Sequence, residues 1–198
     1  MMRNVLALST CLVLALSLAC SQSAQKAGSD GERLFSELKC VACHAVRGTG
    51  GKVGPELGAK AGQPYTPNVM ASAMWSHAAK MWQAMDQAGV QRPQVTAQQA
   101  EALYSYIAGS PSPASPGDPK EGQRVYQAKF CASCHDEPTS GAPNLAAQAG
   151  NFSSFSMVAS LWQHGAGMLS RMTSSNKEWQ QLSPEEMSHL IAFLNSKK

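Results

Sequence analysis

The chain has 198 residues, a length that allows one or two domains, and a formal net charge of +3 with charged residues at only 15%. That mild balance singles out no partner class, and no basic run marks a nucleic-acid surface, so nucleic-acid binding is not expected.

In chain order, residues 1–19 read as an export signal rather than a fold element. Arg3 supplies a short positive region, and Val5 to Leu18 an apolar stretch too short and too early for a committed membrane helix. Ser17 and Ala19 place small residues at −3 and −1 before Cys20. An ordinary secretory signal is one reading. The preferred one is a lipoprotein signal with Cys20 as the lipidated first residue, because an unpaired cysteine at a mature end needs an explanation. Ser17-Leu18-Ala19-Cys20 resembles a bacterial lipobox, with Leu16 and Leu18 straddling the usual leucine position. Residues 20–29, rich in Ser, Gln, Ala and Gly, form a flexible tether. Export to the periplasmic side of a bacterial membrane is expected, with the lipid as anchor.

Residues 30–109 form a first domain. A short helix from Asp30 carries Leu34 and Phe35 inward and leads into Cys40-Val41-Ala42-Cys43-His44. This is the C-x-x-C-H haem attachment pattern. Two thiols at that spacing reach two vinyl groups on one porphyrin edge, and the adjacent histidine lies under the iron. A zinc site would need further Cys or His ligands, and the remaining cysteines, Cys11 and Cys20, both fall in the first twenty residues. A turn-rich loop follows through Gly54-Pro55-Glu56-Leu57. Met70, Met74, His77, Met81 and Met85 then share one helical face. Thr96 starts a closing helix through Leu103, Tyr104 and Ile107.

Residues 110–119 carry four prolines and read as a semi-rigid extended spacer. Residues 120–198 repeat the first half. Cys131-Ala132-Ser133-Cys134-His135 lies 91 positions after the first motif, as Gly122 does after Gly31 and Tyr126 after Phe35. Past a shorter loop, Ser140-Gly141-Ala142-Pro143-Asn144-Leu145, the register becomes 87: Met157, Trp162, His164, Met168 and Met172 match Met70, Trp75, His77, Met81 and Met85. Gly165-Ala166-Gly167 predicts that the second helix stops after His164. Ser183-Pro184-Glu185-Glu186 opens the last helix, with serine as N-cap and proline at the first helical position. Neither half shows strand-like alternation, so the fold class is all-α.

The order of helix, haem motif, Gly-Pro-x-Leu loop, methionine segment and closing helix resembles class I cytochrome c, over residues 30–109 and 118–195. The resemblance implies two tandem class I cytochrome c domains with two covalently bound haem c groups. Cys40, Cys43, Cys131 and Cys134 would attach them, and His44 and His135 would be the proximal ligands. The chain departs from the pattern at Ala142, at methionines not followed by proline, and at the repeated Trp-x-His element. Met81 and Met168 are the favoured distal ligands, since sulfur suits haem iron and raises its potential, and Met168 follows a glycine-rich stretch. Met85 with Met172, and His77 with His164, are the alternatives. Either histidine could instead bond a propionate or a backbone group. Met70, Met74 and Met157 read as core filler, Trp82 and Trp179 as packing, and His189 as a surface or rim residue.

The expected function is electron transfer, each haem cycling between Fe(III) and Fe(II), with exported or membrane redox proteins as donor and acceptor. The alternative is a subunit of a redox enzyme, such as a di-haem peroxidase, with one exchangeable distal site. The likeness of the two halves speaks against a division of labour between a catalytic and a transferring haem.

Overall fold

A computed structural model describes residues 30–58, 63–109 and 112–197. The expected signal, Cys20 and the tether lie outside the described residues, among which no helix is long and apolar enough to cross a membrane.

Each half opens and closes with a crossed pair of helices. In the first, α1 (30–37) crosses α3 (Ala97–Ala108). In the second, α4 (Pro119–Ala128) crosses α7 (Pro184–Ser196). A glycine sits at each crossing because no side chain fits there. A Cβ on Gly31 would lie 2.1 Å from the Ala102 carbonyl oxygen, and one on Gly122 1.9 Å from that of His189. The aromatic positions of the repeat meet beside these glycines, Phe35 with Tyr106 at 5.6 Å between centroids and Tyr126 with Phe193 at 5.2 Å. The helix starts are chemically specified. Thr96 and Ser183 each form a reciprocal capping box, with Gln99 and Glu186, and Pro184 takes the first turn where no N–H is needed. A two-residue ladder, β1 (Ala45–Val46) with β2 (Thr49–Gly50), tightens the loop after the first haem motif. It is the only two-stranded sheet among the described residues, extended by a single parallel bridge from Val46 to Leu57, and it is too short to show as sequence alternation.

Two 21-residue helices, α2 (Pro67–Gln87) and α6 (Ser154–Ser174), cross at the centre. The expected stop after His164 is overturned, because α6 runs unbroken through Gly165, Ala166 and Gly167. The reason lies in the other half. A Cβ on Gly165 would meet the Trp82 ring at 2.4 Å, and Trp82 is only 3% exposed. Burying an indole removes on the order of 200 Å² from water, which outweighs the roughly 1 kcal/mol that a helical glycine costs. Gly165 is therefore a clearance, not a terminator.

The halves share one core. Phe35, Met70 and Leu103 of the first belong to the same buried cluster as Tyr126, Met187 and Leu194 of the second. Around it α2 packs on α7 and α3 on α6. A buried polar node fastens the seam: Asn68 bonds Ser188 and Ser154, and the Ser72 hydroxyl donates to the Leu182 carbonyl at 2.7 Å.

The expected extended spacer is instead strapped down. The Tyr104 hydroxyl bonds the backbone of Ser112, Asn68 donates to the Ser115 carbonyl, and Gly117 lies against the Ser188 carbonyl. The Asp118 N–H donates to His189 Nδ1 at 2.8 Å. His189 is thus a half-buried anchor for the linker rather than a rim residue. These bonds supply the backbone partners that a free spacer would have taken from water.

Candidate functional site

Both haem motifs begin in the same unusual way. Lys39 and Phe130, immediately before the first cysteine, adopt the left-handed conformation at φ 64° and 62°. Neither is glycine, so each carries a local cost of about 1–3 kcal/mol, and both halves retain it. The turn swings the chain out of α1 or α4 into one tight helical turn: the 3₁₀ segment Cys40–Ala42 in the first half and α5 (Ala132–His135) in the second. The His44 N–H returns to the Cys40 carbonyl at 2.9 Å, and the His135 N–H to that of Cys131 at 3.0 Å. Each turn therefore gathers two thiols and one imidazole.

The four cysteines are half-buried and unbridged. Burial pushes the Cys40 and Cys131 thiols up to about 11. A redox dithiol needs a lowered thiol pKa, and these shifts run the other way. Among the described residues no group of three or more His, Cys, Asp or Glu converges as a metal-ion site would require.

The imidazoles are oriented by proline carbonyls. His44 Nδ1 lies 2.9 Å from the Pro55 oxygen, and His135 Nδ1 2.9 Å from that of Pro143. A carbonyl only accepts, so Nδ1 carries the proton in both rings and the Nε2 lone pair is free for a metal. The loops reach this common geometry differently. In the first, Gly54 packs under the ring, where a Cβ would sit 2.5 Å from His44 Cε1. The second loop is shorter and has Ala142 before its proline. There the Ser140 hydroxyl bonds the Cys134 carbonyl and the Ala142 N–H, while Arg171 donates to the Ser140 carbonyl.

An apolar cleft opens beside the second motif. Cys131, Cys134 and His135 form one wall, and Met157, Met168 and Met172 of α6 another. The structure thus brings both Met168 and Met172 to the cleft. His164 is exposed on α6 and does not line it. In the first half Met81 and Met85 are half-buried on α2 against the Trp82 cluster. His77 is exposed, with Nδ1 bonded to the Ala73 carbonyl of its own helix at 2.8 Å. Met70 is 1% exposed within the shared core.

Sequence reasoning missed the contribution that each half makes to the other. Trp75 of the first half lines the second cleft and donates its Nε1–H to the Gln180 carbonyl at 2.9 Å. All four tryptophans form one ladder: Trp75 on Trp179 at 5.1 Å, Trp179 on Trp82 at 5.6 Å, and Trp82 on Trp162 at 6.5 Å. The repeat of Trp75 and Trp162 at constant register was the available signal, but it could not reveal which half each ring serves.

These features fit a covalently held haem: paired thiols, an imidazole with Nε2 free, an apolar cleft and thioether sulfurs facing it. A family model described as Cytochrome c matches the chain twice, over residues 28–110 and 119–198. No curated protein and no solved structure matches.

Proposed function

The chain belongs to the cytochrome c family and folds as two tandem class I cytochrome c domains, a haem-binding electron-transfer architecture, and from that premise we propose that it is an exported di-haem electron carrier with His/Met ligation at both irons. Haem, when bound, supplies a one-electron iron couple. Cys40 with Cys43, and Cys131 with Cys134, hold the two groups through thioether bonds. His44 and His135 bind iron through Nε2, their rings fixed by the Pro55 and Pro143 carbonyls. The observation that carries this reading is that doubled histidine geometry, reached by two unlike loops.

Met81 and Met168 supply the distal sulfurs. Met168 faces the cleft that holds His135, and Met81 is its repeat partner. With both axial positions filled by protein, the carrier exchanges electrons rather than ligands. Its partners are exported or membrane redox proteins, and a lipid on Cys20 keeps it at the periplasmic face of the membrane.

The reading predicts two haems per chain by pyridine haemochrome assay, and reduced spectra unchanged by carbon monoxide at neutral pH. Met81→Ala and Met168→Ala should each abolish the sulfur-to-iron absorption of one haem and lower its potential. Rapid carbon monoxide binding by the unmodified protein would replace the carrier by a redox-enzyme subunit. Loss of the absorption in Met85→Ala or Met172→Ala instead would move the ligand one helical turn.

A further inference from the structure

The two halves leave their long helices by the same route and then part. At the end of α2 the Val90 N–H returns to the Met85 carbonyl at 2.9 Å, and at the end of α6 the Lys177 N–H returns to that of Met172 at 2.8 Å. These pairs match at the register of 87, and each is followed by a segment without regular structure, 91–95 or 178–182. The first segment is anchored in its own half. Arg92 bonds both carboxylate oxygens of Asp86, at 2.8 and 2.7 Å, and no hydrogen bond among the described residues joins 91–95 to α6.

The second segment is anchored across the seam, on α2. Trp75 Nε1–H donates to the Gln180 carbonyl at 2.9 Å, and Trp179 Nε1–H donates to the Trp75 carbonyl at 2.7 Å. The Ser76 hydroxyl accepts from the Leu182 N–H and donates to the Leu182 carbonyl, both at 3.0 Å, and the Ser72 hydroxyl donates to the same carbonyl at 2.7 Å. Among the described residues, one bond ties 178–182 to the rest of the second half, from the Lys129 ammonium to the Gln181 carbonyl. The sequence accounts for the difference. The positions of α6 that match Ser72 and Ser76 are Ala159 and Gln163, and those of the first half that match Trp179 and Gln180 are Arg92 and Pro93. The hydroxyls and the answering indole are present for one crossing only. Trp179, Gln180 and Leu182 also line the cleft that holds Cys131, His135, Met168 and Met172. One ordinary hydrogen bond shifts an open–closed equilibrium about fivefold, so the bonds from α2 outweigh the single bond from Lys129.

We propose that Trp75 and Ser76 of the first half are positioning residues for the second haem. They hold 178–182 closed over its cleft, and so the first half decides whether the second iron keeps its thioether ligand. The haem on Cys40 and Cys43 has no such dependence, since α6 gives 91–95 no matching bonds. Release of the segment admits water at one haem and frees its axial sulfur, and both changes lower that haem's potential. The inference rests on the di-haem reading with His/Met ligation.

The test compares the parent holoprotein, after its haem content has been counted, with Ser76→Ala, Trp75→Phe and Gln163→Ala. Ser76→Ala removes one hydroxyl, and Trp75→Phe removes one N–H while keeping a ring against Trp179. Gln163 is exposed at the position matching Ser76, so Gln163→Ala is the control. In reduced, ¹⁵N-labelled protein the Leu182 N–H should exchange slowly with water in the parent, and at least about fivefold faster in Ser76→Ala for the loss of its hydrogen bond. In Ser76→Ala and in Trp75→Phe, carbon monoxide should bind one haem of the two, the one whose thioether protons contact Cys131 and Cys134 by nuclear magnetic resonance. The potential of that haem alone should fall. Gln163→Ala should match the parent throughout. Faster exchange at Leu182 with both potentials held and no carbon monoxide bound would show that the segment only packs, and would overturn the proposal. A fast-exchanging Leu182 N–H in the parent, or equal changes at both haems, would overturn it too. Each of these leaves the di-haem carrier standing, whereas carbon monoxide binding by the parent at neutral pH, or fewer than two haems per chain, would overturn both.

Discussion

Gly165 and Gly167 lie two residues apart in α6, and the structure gives their replacement by alanine opposite signs. Neither has the positive φ that would forbid a side chain, and a Cβ at 167 meets nothing within 4 Å. Gly167→Ala should therefore recover the entropy that glycine wastes in a helix, about 0.5–1 kcal/mol. Gly165→Ala gains the same propensity, but its Cβ would lie 2.4 Å from Trp82 Cη2 and 3.0 Å from Leu161 Cδ1. The indole cannot swing aside, because it is buried between Trp162 and Trp179. Overpacking of this kind costs about 1–3 kcal/mol, so the net change should be a loss of roughly 0.5–2 kcal/mol. For a protein of this size 1 kcal/mol moves Tm by about 2–4 °C. Thermal unfolding of the holoproteins, followed by far-ultraviolet circular dichroism, should raise Tm for Gly167→Ala and lower it for Gly165→Ala. The repeat supplies an internal rescue. The exchanged positions carry Ala78 and Leu169, both in the same cluster, so Trp82→Leu should remove most of the penalty of Gly165→Ala in a double-mutant cycle. Destabilisation by Gly167→Ala would mean that the chain turns out of the helix there, and would refute the continuous α6 and its packing on Trp82.

At the α4–α7 crossing, Gly122→Ala must push apart backbones that a Cβ would bring to 1.9 Å, and should cost at least about 3 kcal/mol. A Tm within a degree of the parent would show that the crossing is looser than described. The backbone N–H of Lys120, with that of Glu121, holds the Asp118 carboxyl below its ordinary value at the N-terminus of α4. Its contribution is complete above the unfolded carboxylate range and lost as pH falls through the lower folded value. Asp118→Ala should therefore be less stable than the parent at neutral pH, with a gap that closes in urea titrations as pH falls through the lowered folded value of this carboxyl; a gap independent of pH would show that the charge does not matter. Cys20→Ser should release a still-red protein from the membrane fraction, since stable attachment needs about two lipid signals and neither haem motif is touched. An unmodified Cys20 by mass spectrometry of the mature N-terminus would end the lipoprotein reading.

Much of the scaffold was legible because it is specified locally. Thr96 and Ser183 announce their helices through caps that need only the next three residues. The doubled C-x-x-C-H spacing announces its own chemistry. Gly31 and Gly122 could be aligned by the repeat, although their role as contact points with Ala102 and His189 could not.

What was hidden depends on residues far apart in the chain. Gly165-Ala166-Gly167 has the composition of a helix end, and nothing within ten residues says otherwise; Trp82, contributed from the other half, decides it. The proline-rich linker has the composition of a spacer, but its partners are Asn68, Tyr104 and His189, between 8 and 71 positions away. Trp75 and Trp162 are equivalent by register, yet only the environment across the seam gives one an acceptor and leaves the other without. A repeat thus predicts each half as though it stood alone, and errs where one half uses the other as its environment. Those are the places where two halves in matching register become unlike, as Trp75 and Trp162 do at the seam.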